Sequence, residues 1–378
     1  MTKYMRAVDI KNGKGNADAL FVNPKIAKPT SVGANEVLVK VHAFGLNRMD
    51  ILQREGRYPL PPHVSKTLGV EFSGTIVIAG DQVQDFKPDD RVFGLAYGGA
   101  YAEYIVASAS LLFAYRAAAA DDDDHDDHPH AGVRSPSFSF VSAAGVPEVW
   151  FTAAQALLRV AELDKTVVDH GTGNKIRAVL IHAGASGVGI AAVQLAHALL
   201  RPYGGKVFAT VSTDDKARFV ENVAGADHAI NYRTTDFVNI INQQTDGHGA
   251  DLIIDFVGQD YFNRNLDVAA VDGRIVLLAT LSGAIASNVN IGTILRKRLR
   301  IEGSTLRSRS PEYQAELRDL VDTFVIPRLE TGEFVNPVDK IFSWHKIVQA
   351  HKYMESNQSK GKIIAVVDDG GKDDDDNE

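Results

Sequence analysis

The sequence of 378 residues contains no cysteine. This absence excludes disulfides, thiolate metal sites and cysteine nucleophiles. No apolar run approaches the roughly 20 residues that are needed to cross a bilayer. The first residues, MTKYMRAVDI, lead almost directly into a strand-like pattern and lack the apolar core of a signal peptide. We therefore expect an intracellular protein and predict a cytoplasmic location.

The formal net charge of −8 comes from two short segments. An aspartate run at 121–127 holds six acids, and the tail at 368–378 holds seven acids and one lysine. The rest of the chain carries 39 basic and 35 acidic residues. Like-charge runs are typical of solvated segments, so the net charge does not indicate the ligand. We interpret the low-complexity segment 114–136, despite its histidines, as a solvated insertion rather than a metal site.

A glycine-rich turn between a predicted strand and a predicted helix is the most informative stretch. Residues 178–181 (AVLI) form a short apolar run that is typical of a buried parallel strand. Gly184, Gly187 and Gly189 follow, with Ser186 where the G-x-G-x-x-G fingerprint has its middle glycine. The N-terminus of the following helix favours an anion such as a pyrophosphate. In this context the turn predicts nucleotide binding.

The order of the predicted elements indicates two kinds of domain. Residues 4–112 are rich in strand patterns. Helices then alternate with strands, starting from a helix at Pro147. This alternation predicts an α/β fold with a Rossmann-type doubly wound parallel sheet. We predict a β-rich domain over 1–146, a nucleotide-binding domain over 147–302, and a return to the first domain, with an acidic tail, over 303–378.

The end of the second strand of the nucleotide-binding domain bears on the form of the cofactor. An NAD site usually places an acid there, on the ribose 2′-hydroxyl. Here the strand ends in small polar residues, including Ser212, and Lys216 follows one helical turn later. Small groups and a cation suit a 2′-phosphate, whereas Asp214 and Asp215 argue for a free ribose. The sequence therefore favours NADPH, with NADH as the alternative.

Longer motifs extend over almost the whole chain. They are LNRMDILQREGRYPLPP (46–62), LGVEFSG (68–74), VPEVWFTAAQAL (146–157), HAGASGVGIAAVQLA (182–196), STLRSR (304–309) and AHKYMESNQSKGKII (350–364). In their order they resemble the zinc-free quinone oxidoreductase branch of the medium-chain dehydrogenase/reductase superfamily, and within it the tumour-suppressor-inducible group. The insertion at 114–136, a longer segment at 165–177 and the acidic tail depart from that pattern.

The resemblance implies a fold and a chemistry. The β-rich domain would be a GroES-like catalytic domain beside the Rossmann domain. In the zinc alcohol dehydrogenases of the superfamily, a cysteine stands at the place of Asn47 and a histidine at that of Val70, and neither residue present here is a usual zinc ligand. The resemblance therefore implies a metal-independent enzyme.

The resemblance also implies the residues of the site. Tyr58 matches a tyrosine near the nicotinamide, and Asn47, Asp50 and Gln53 match polar residues of the substrate site; these four are the expected catalytic residues. Cofactor contacts are implied for Gly184, Ser186, Gly187, Val188, Gly189, Ser212, Lys216, Tyr232, Phe256, Val257, Gly258, Arg307, Ser308 and Lys362. His182, beside the glycine turn, is expected to pack at the end of its strand.

The activity that follows is NADPH-dependent reduction of a quinone, in which the cofactor supplies the electrons and the protein orients the reactants. Asn47 and Gln53 would donate hydrogen bonds to the substrate, and Tyr58 would shape the pocket wall. One alternative is an enoyl or alkenal double-bond reductase, with Tyr58 as a candidate proton donor. Another is an NADPH-binding structural or RNA-binding protein without relevant turnover, although no basic stripe with interleaved aromatics supports RNA binding.

Assembly is predicted from the edge of the nucleotide-binding sheet. The segment 274–279 is the candidate edge strand, and an unpaired edge tends to find a partner. Since family members commonly pair through such an edge, we expect a homodimer or a homotetramer.

Overall fold

The structure, a computed structural model, describes residues 3–58, 60, 64–115, 138–167 and 176–368. Nearly all of the predicted insertion, the acidic tail beyond Asp368, and 168–175 of the longer segment lie outside these residues. The chain divides into two compact units. The first comprises 1–148, 330–332 and 337–378, and the second comprises 149–329 and 333–336. The domain limits drawn from the sequence stay predictions.

Strands and helices are numbered along the chain. The strands are β1 (Tyr4–Ile10), β2 (Leu20–Ala27), β3 (Glu36–Gly45), β4 (Glu71–Ala79), β5 (Arg91–Leu95), β6 (Tyr104–Ser108), β7 (Leu112–Ala114), β8 (Ala178–Ile181), β9 (Lys206–Val211), β10 (His228–Asn231), β11 (Ala250–Asp255), β12 (Ala269–Leu277), β13 (Arg300–Gly303), β14 (Val338–Ser343) and β15 (Lys362–Val366). The α-helices are α1 (Arg48–Arg54), α2 (Phe140–Ala143), α3 (Pro147–Ala154), α4 (Leu163–Val167), α5 (Gly187–Leu200), α6 (Asp214–Phe219), α7 (Phe237–Gln244), α8 (Gln259–Val268), α9 (Ile291–Lys297), α10 (Pro311–Phe324), α11 (Ile326–Glu330) and α12 (Ile347–Glu355).

The first unit is built on a mostly antiparallel sheet. Its strand order is β14-β15-β3-β4-β5-β7, with β6 also paired to β3 and with β1 and β2 forming a separate antiparallel pair. Most of the long strand β3 is buried, and only Glu36, Lys40 and His42 are partly exposed, as expected for a central strand that pairs with β15, β4 and β6. Val39, Phe44, Phe72 and Trp344 lie in that core. The last strand, β15, pairs with β3 and so joins the C-terminal segment to the N-terminal half of the chain.

The second unit contains a parallel sheet in the order β10-β9-β8-β11-β12-β13. Numbered within the unit, this is the strand order 3-2-1-4-5-6 of doubly wound dinucleotide-binding domains. All four residues of β8 are buried, as expected for a strand that is covered on both faces. The predicted Rossmann-type sheet is therefore confirmed. Its topological switch point, where ligands bind in such sheets, lies at the carboxyl ends of β8 and β11.

The predicted edge strand at 274–279 is wrong. Residues 274–277 belong to β12, which pairs with β11 on one side and β13 on the other. The outermost strand at this end is β13, Arg300–Gly303. Its sequence RIEG contains no apolar run, and all four residues are partly or fully exposed. The strand pattern is therefore too short and too polar to be recognised from the sequence.

Candidate functional site

The glycine turn after β8 forms a tight, capped start to α5. Ser186 is the N-cap of the helix, and its Oγ accepts the N–H of Gly189 at 3.0 Å. This contact explains the serine in place of the middle glycine. A Cβ on Gly189 would clash with the carbonyl oxygen of Ala183, and one on Gly184 would stand 2.7 Å from the Cβ of Ala209. Only glycine fits at these two positions.

The chemistry of this turn fits the pyrophosphate of a dinucleotide. Gly187 and Val188 form the first turn of α5, where backbone N–H groups have no partner within the helix. The turn stands at the switch point of the sheet, and the helix is 14 residues long, so that its dipole favours an anion at this end.

The end of β9 brings small and charged groups together. Thr213 caps α6, its Oγ1 accepting the N–H of Lys216 at 3.2 Å. Asp214 is exposed, and its Oδ1 accepts a hydrogen bond of 2.7 Å from Nδ2 of Asn231, the last residue of β10. Ser212 and Lys216 are partly exposed beside it. Tyr232 is 40% exposed, next to the same strand ends.

Two further loops of the second unit carry predicted cofactor contacts. Phe256 and Val257 follow β11, and Gly258, with φ +84°, begins α8; both Val257 and Gly258 donate their N–H groups to Asp255. The 304–309 loop, which contains Arg307 and Ser308, is held by two buried glutamine side chains. Nε2 of Gln155 donates to the carbonyl of Thr305 at 3.1 Å, and Nε2 of Gln314 donates to that of Leu306 at 3.1 Å.

His182 packs at the strand end, as the sequence predicts, between the rings of Phe237 and Tyr261. In addition, both of its ring nitrogens are hydrogen-bonded, to Thr210 and Asn265. Burial lowers the pKa of His182 to about 4 and raises that of the neighbouring Asp255 carboxyl to about 6. Sequence reasoning missed Asp255, Thr210 and Asn265, since neither a polar residue near a strand end nor one within a helix has a distinguishing local pattern.

Asn47, in the first unit, has its side-chain amide held from two sides. Nζ of Lys362 donates to its Oδ1 at 2.8 Å, and its Nδ2 donates to Oε1 of Glu71 at 2.8 Å. Lys362 also donates to the carbonyl of Leu46 and to Glu71 at 2.6 Å. The ammonium thus has three acceptors for its three hydrogens. This arrangement leaves Lys362 no donor for a cofactor, so we interpret its role as holding Asn47.

The other three predicted catalytic residues differ in their surroundings. Asp50 is 1% exposed, and its carboxylate accepts the N–H groups of Asn47 and Gly69 and the O–H of Tyr101. Burial, with the Asp50 charge as the second cause, raises the pKa of Tyr101 well above its ordinary value. Gln53 donates to the carbonyl of Lys66 at 3.3 Å. Tyr58 is half-buried and follows α1.

The described residues lack two features that mark other classes of protein. No group of three or more histidine, cysteine or acidic side chains is placed there to hold a metal ion. Nor does any described helix combine the length and the apolar character of a membrane-spanning segment.

Known protein families and relatives match both units of the chain. Residues 33–117 match the family described as alcohol dehydrogenase GroES-like domain, and residues 187–323 match zinc-binding dehydrogenase. The quinone oxidoreductase of Sus scrofa is 29% identical over 336 residues, covering 88% of this chain and 89% of that protein. The quinone oxidoreductase of Homo sapiens is 29% identical over 375 residues, covering 97% and 98%.

Solved structures give the same fold. The Escherichia coli quinone oxidoreductase complexed with NADPH has a TM-score of 0.74 and 25% identity, covering 96% of this chain and 99% of that one. The CurK enoyl reductase has a TM-score of 0.76 and 25% identity, with the same coverage.

A GroES-like domain joined to a Rossmann domain defines an oxidoreductase that uses a nicotinamide cofactor. The chain belongs to the medium-chain dehydrogenase/reductase superfamily, and quinone oxidoreductases are among its relatives.

Proposed function

We propose that this protein is a metal-independent, NADPH-dependent quinone oxidoreductase. The observation that carries the proposal is the capped glycine turn at the switch point of the second unit, with Lys216 in the first turn of α6, after the adjacent strand β9. The quinone as substrate is supported by the names of the curated relatives.

The second unit holds the cofactor in this proposal. The first turn of α5 binds the pyrophosphate through the backbone N–H groups of Gly187 and Val188. The N–H of Gly189 is donated to Ser186 Oγ, and Gly189 contributes by letting the chain pass close to Ala183. Ser212, Lys216 and Tyr232 bind the adenosine end, and the Lys216 ammonium pairs with the 2′-phosphate. The Asp214 carboxylate remains the feature that favours NADH, although its hydrogen bond with Asn231 holds one of its oxygens toward β10. The loops at 256–258 and 304–309 complete the cofactor contacts.

Asn47 is the proposed substrate-binding group of the first unit. Its Oδ1 accepts from Lys362, and one hydrogen of its Nδ2 is donated to Glu71. The second Nδ2 hydrogen points away from this ion pair. That hydrogen can be donated to a carbonyl oxygen of the substrate. Tyr58 shapes the pocket wall, and Asp50 positions α1 rather than touching substrate. When bound, the reduced nicotinamide supplies the hydride, while the Asn47 amide stabilises the negative charge that develops on oxygen.

A second candidate is reduction of a C=C bond conjugated to a carbonyl, which is supported by the likeness to the CurK enoyl reductase. Such a reaction needs a proton donor for the α-carbon, and Tyr58 is the candidate. The same amide of Asn47 would bind the substrate carbonyl in either reaction, so the site chemistry favours neither acceptor by itself.

We further propose that the protein assembles as a homodimer through β13, or as a homotetramer built from such dimers. The strand is the outer edge of its sheet among the described residues, and Ile285, Ile291 and Leu295, in the segment of chain that leads to β13, are 78%, 75% and 79% exposed. Both an outer strand edge and exposed apolar side chains are typical of interfaces. Location in the cytoplasm stays a prediction from the sequence.

The experiment that tests the activity follows oxidation of NADPH and, separately, NADH with phenanthrenequinone, an α,β-unsaturated aldehyde and an enoyl thioester. The expected result is fast turnover of the quinone with NADPH and little with NADH. Turnover of the enal or enoyl thioester alone would establish the second candidate. Tight NADPH binding without turnover of any acceptor would contradict both and favour a binding or structural role.

A further inference from the structure

A chain of four buried side chains crosses the second unit beneath the switch point of its sheet. Thr210 lies in β9, His182 follows β8, Asn265 lies in α8 and Asp255 ends β11. Thr210 Oγ1 and His182 Nδ1 are 2.9 Å apart, His182 Nε2 and Asn265 Oδ1 are 2.8 Å apart, and Asn265 Nδ2 is 3.0 Å from Asp255 Oδ2. Each of the four residues is at most 1% exposed.

The carboxylate sets the direction of this chain. Ionised Asp255 only accepts hydrogen bonds, so Asn265 turns its NH₂ group to Asp255 and its carbonyl to His182. His182 must therefore donate from Nε2, and its bare Nδ1 accepts the O–H of Thr210. The same carboxylate accepts the N–H of Val257 at 2.6 Å and that of Gly258 at 3.2 Å. The chain thus ends on the turn that borders the switch point.

We propose that Asp255, Asn265 and His182 are positioning residues for the 256–258 turn, and that the chain reverses as a unit when Asp255 takes up a proton. In the reversed chain the Asp255 O–H donates to Oδ1 of a flipped Asn265 amide. Nδ2 of Asn265 then donates to Nε2 of His182, and His182 donates from Nδ1 to Thr210.

Each link keeps one donor and one acceptor in both directions. The net uptake is a single proton from solvent at Asp255, because the imidazole exchanges its Nε2 proton for one on Nδ1 and stays neutral. Burial supports this order of events, since it raises the pKa of Asp255 to about 6 and lowers that of His182 to about 4. The carboxyl therefore takes up its proton while the imidazole is still neutral.

One charged group on a neighbouring element, Arg264 on α8, also disfavours an imidazolium at His182. Arg264, whose ion pair with Asp236 is 2.6 Å long, lowers the pKa of His182 further. The groups that face the chain are Asp260, Tyr261 and Arg264 on α8, Tyr232 after β10 and Asp236 before α7. The Tyr261 phenol has its pKa raised to about 12 by burial first of all, so it stays neutral throughout.

The consequence for the cofactor depends on the proposed function. Hydrogen bonds from Val257 and Gly258 to a charged oxygen are stronger than those to a neutral carboxyl group. Reversal of the chain therefore loosens the 256–258 turn, and we expect the affinity for a dinucleotide to fall as Asp255 becomes protonated.

The first test reads the tautomer of His182 by ¹⁵N NMR on the full chain, without cofactor or substrate, between about pH 5 and about pH 8. His351 is the other described histidine with a strongly lowered pKa, and a His351→Gln sample identifies its signal. The proposal expects a neutral His182 that is protonated on Nε2 at the upper end and on Nδ1 at the lower end, with a midpoint near the Asp255 pKa of about 6.

An Asp255→Asn variant gives the matched control, because its NH₂ group mimics the protonated acid and should hold the Nδ1–H tautomer at every pH. Asn265→Leu cuts the chain and should abolish the pH dependence, so the test does not rest on one variant. An unchanged tautomer in the wild-type protein, or titration of His182 to an imidazolium in this range, would overturn the proposal.

The second test measures NADPH affinity of the wild-type protein and of Asp255→Asn at the same pH values, so that titration of the 2′-phosphate cancels in the ratio. We expect wild-type binding to be stronger by roughly fivefold at about pH 8, which is the effect of one charge-assisted hydrogen bond, and equal at about pH 5. Asp260→Asn should follow the wild type. A constant ratio would overturn the positioning role. Failure to bind NADPH at any pH would instead reject the proposed function. The ¹⁵N NMR measurement of the His182 tautomer would then decide whether the chain reverses.

Discussion

The ammonium of Lys362 and the carboxylate of Glu71 form an ion pair of 2.6 Å with side chains that are 3% and 0% exposed. Two charges out of water are costly unless their remaining hydrogen-bonding groups are satisfied. Here they are: Lys362 also donates to Leu46 and Asn47, and Glu71 also accepts from Asn47 Nδ2 and the Glu148 N–H. The pair thereby gives the Asn47 amide a single orientation.

Removing one charge of this ion pair should destabilise the first unit more than removing both charges. Lys362→Met leaves Glu71 buried without its cation and should cost about 3–5 kcal/mol of unfolding free energy. The double variant Lys362→Met with Glu71→Met should recover most of that loss, since both charges are then gone. Urea unfolding of the two variants and the wild type measures the difference. Equal losses in the single and double variants would contradict this account.

The Asn47 amide should matter for turnover and not for cofactor binding. Asn47→Ala removes the proposed donor to the substrate oxygen and should lower kcat with phenanthrenequinone by roughly 100-fold, as loss of one oxyanion-stabilising donor does. NADPH affinity, measured by fluorescence, should stay the same. Asn35→Ala, an exposed asparagine before β3, serves as the control and should leave both values unchanged. An Asn47→Ala enzyme with wild-type kcat would remove Asn47 from the mechanism.

The part of the site that the sequence predicts is the part made by neighbours in the chain. Gly184, Ser186 and Gly189 form a turn whose geometry depends on a few adjacent residues, and the alternation of strands and helices is enough to predict the sheet around it. Lys362, by contrast, meets Glu71 across 291 positions of sequence. No local pattern distinguishes a lysine that binds a cofactor from one that is buried against a distant carboxylate.

The same limit applies to the second unit. His182 is predicted to pack at its strand end, and it does, but its partners Thr210 and Asn265 lie 28 and 83 positions away. The edge strand β13 is missed for another reason. Its four residues owe their conformation to pairing with β12 rather than to their own apolar pattern, because tertiary contacts decide short strands.

Cofactor preference should depend on the charge at residue 216. Lys216→Ala should weaken NADPH binding by about tenfold and leave NADH binding nearly unchanged, because only NADPH carries the 2′-phosphate that the cation would bind. Arg218→Ala, which removes an exposed cation from the same helix, is the matched control. Equal losses for the two cofactors would place Lys216 outside the phosphate site.

Asp214 should act in the opposite direction. Asp214→Asn keeps an oxygen that can accept from Asn231 but removes a negative charge near the expected phosphate. We expect NADPH to bind a few-fold more tightly, with the larger effect at low salt, because screening weakens the interaction between exposed charges. Binding that is independent of both the variant and the salt concentration would show that the phosphate is bound elsewhere.

The exposed apolar side chains of the segment that leads to β13 should govern assembly. Leu295→Glu places a charge on a surface that a partner would cover, and it should shift the protein to a smaller species in analytical ultracentrifugation. Val271→Glu tests a second side chain, 53% exposed, that lies in β12 between the paired residues Ala269 and Arg274. A wild-type protein that sediments as a monomer at all concentrations would contradict the proposed dimer.

His351 should make the first unit sensitive to acid. Burial, with the Arg54 cation as the second cause, lowers its pKa to about 3, and its Nδ1 lies 3.1 Å from Nη1 of Arg54. Because the pKa is lower in the folded protein than in the unfolded chain, the neutral ring contributes stability that is fully present above about pH 6.5 and is lost as the pH falls toward 3.

His351→Gln keeps an acceptor for Arg54 but cannot take up a proton. Between about pH 6 and pH 4 its unfolding free energy should fall less steeply than that of the wild type, by about 1.4 kcal/mol per pH unit. His345→Gln, at a partly exposed site, is the control and should keep most of the wild-type slope. Parallel pH profiles for His351→Gln and the wild type would mean that the imidazole becomes charged within the folded protein, with Arg54 moving away from it.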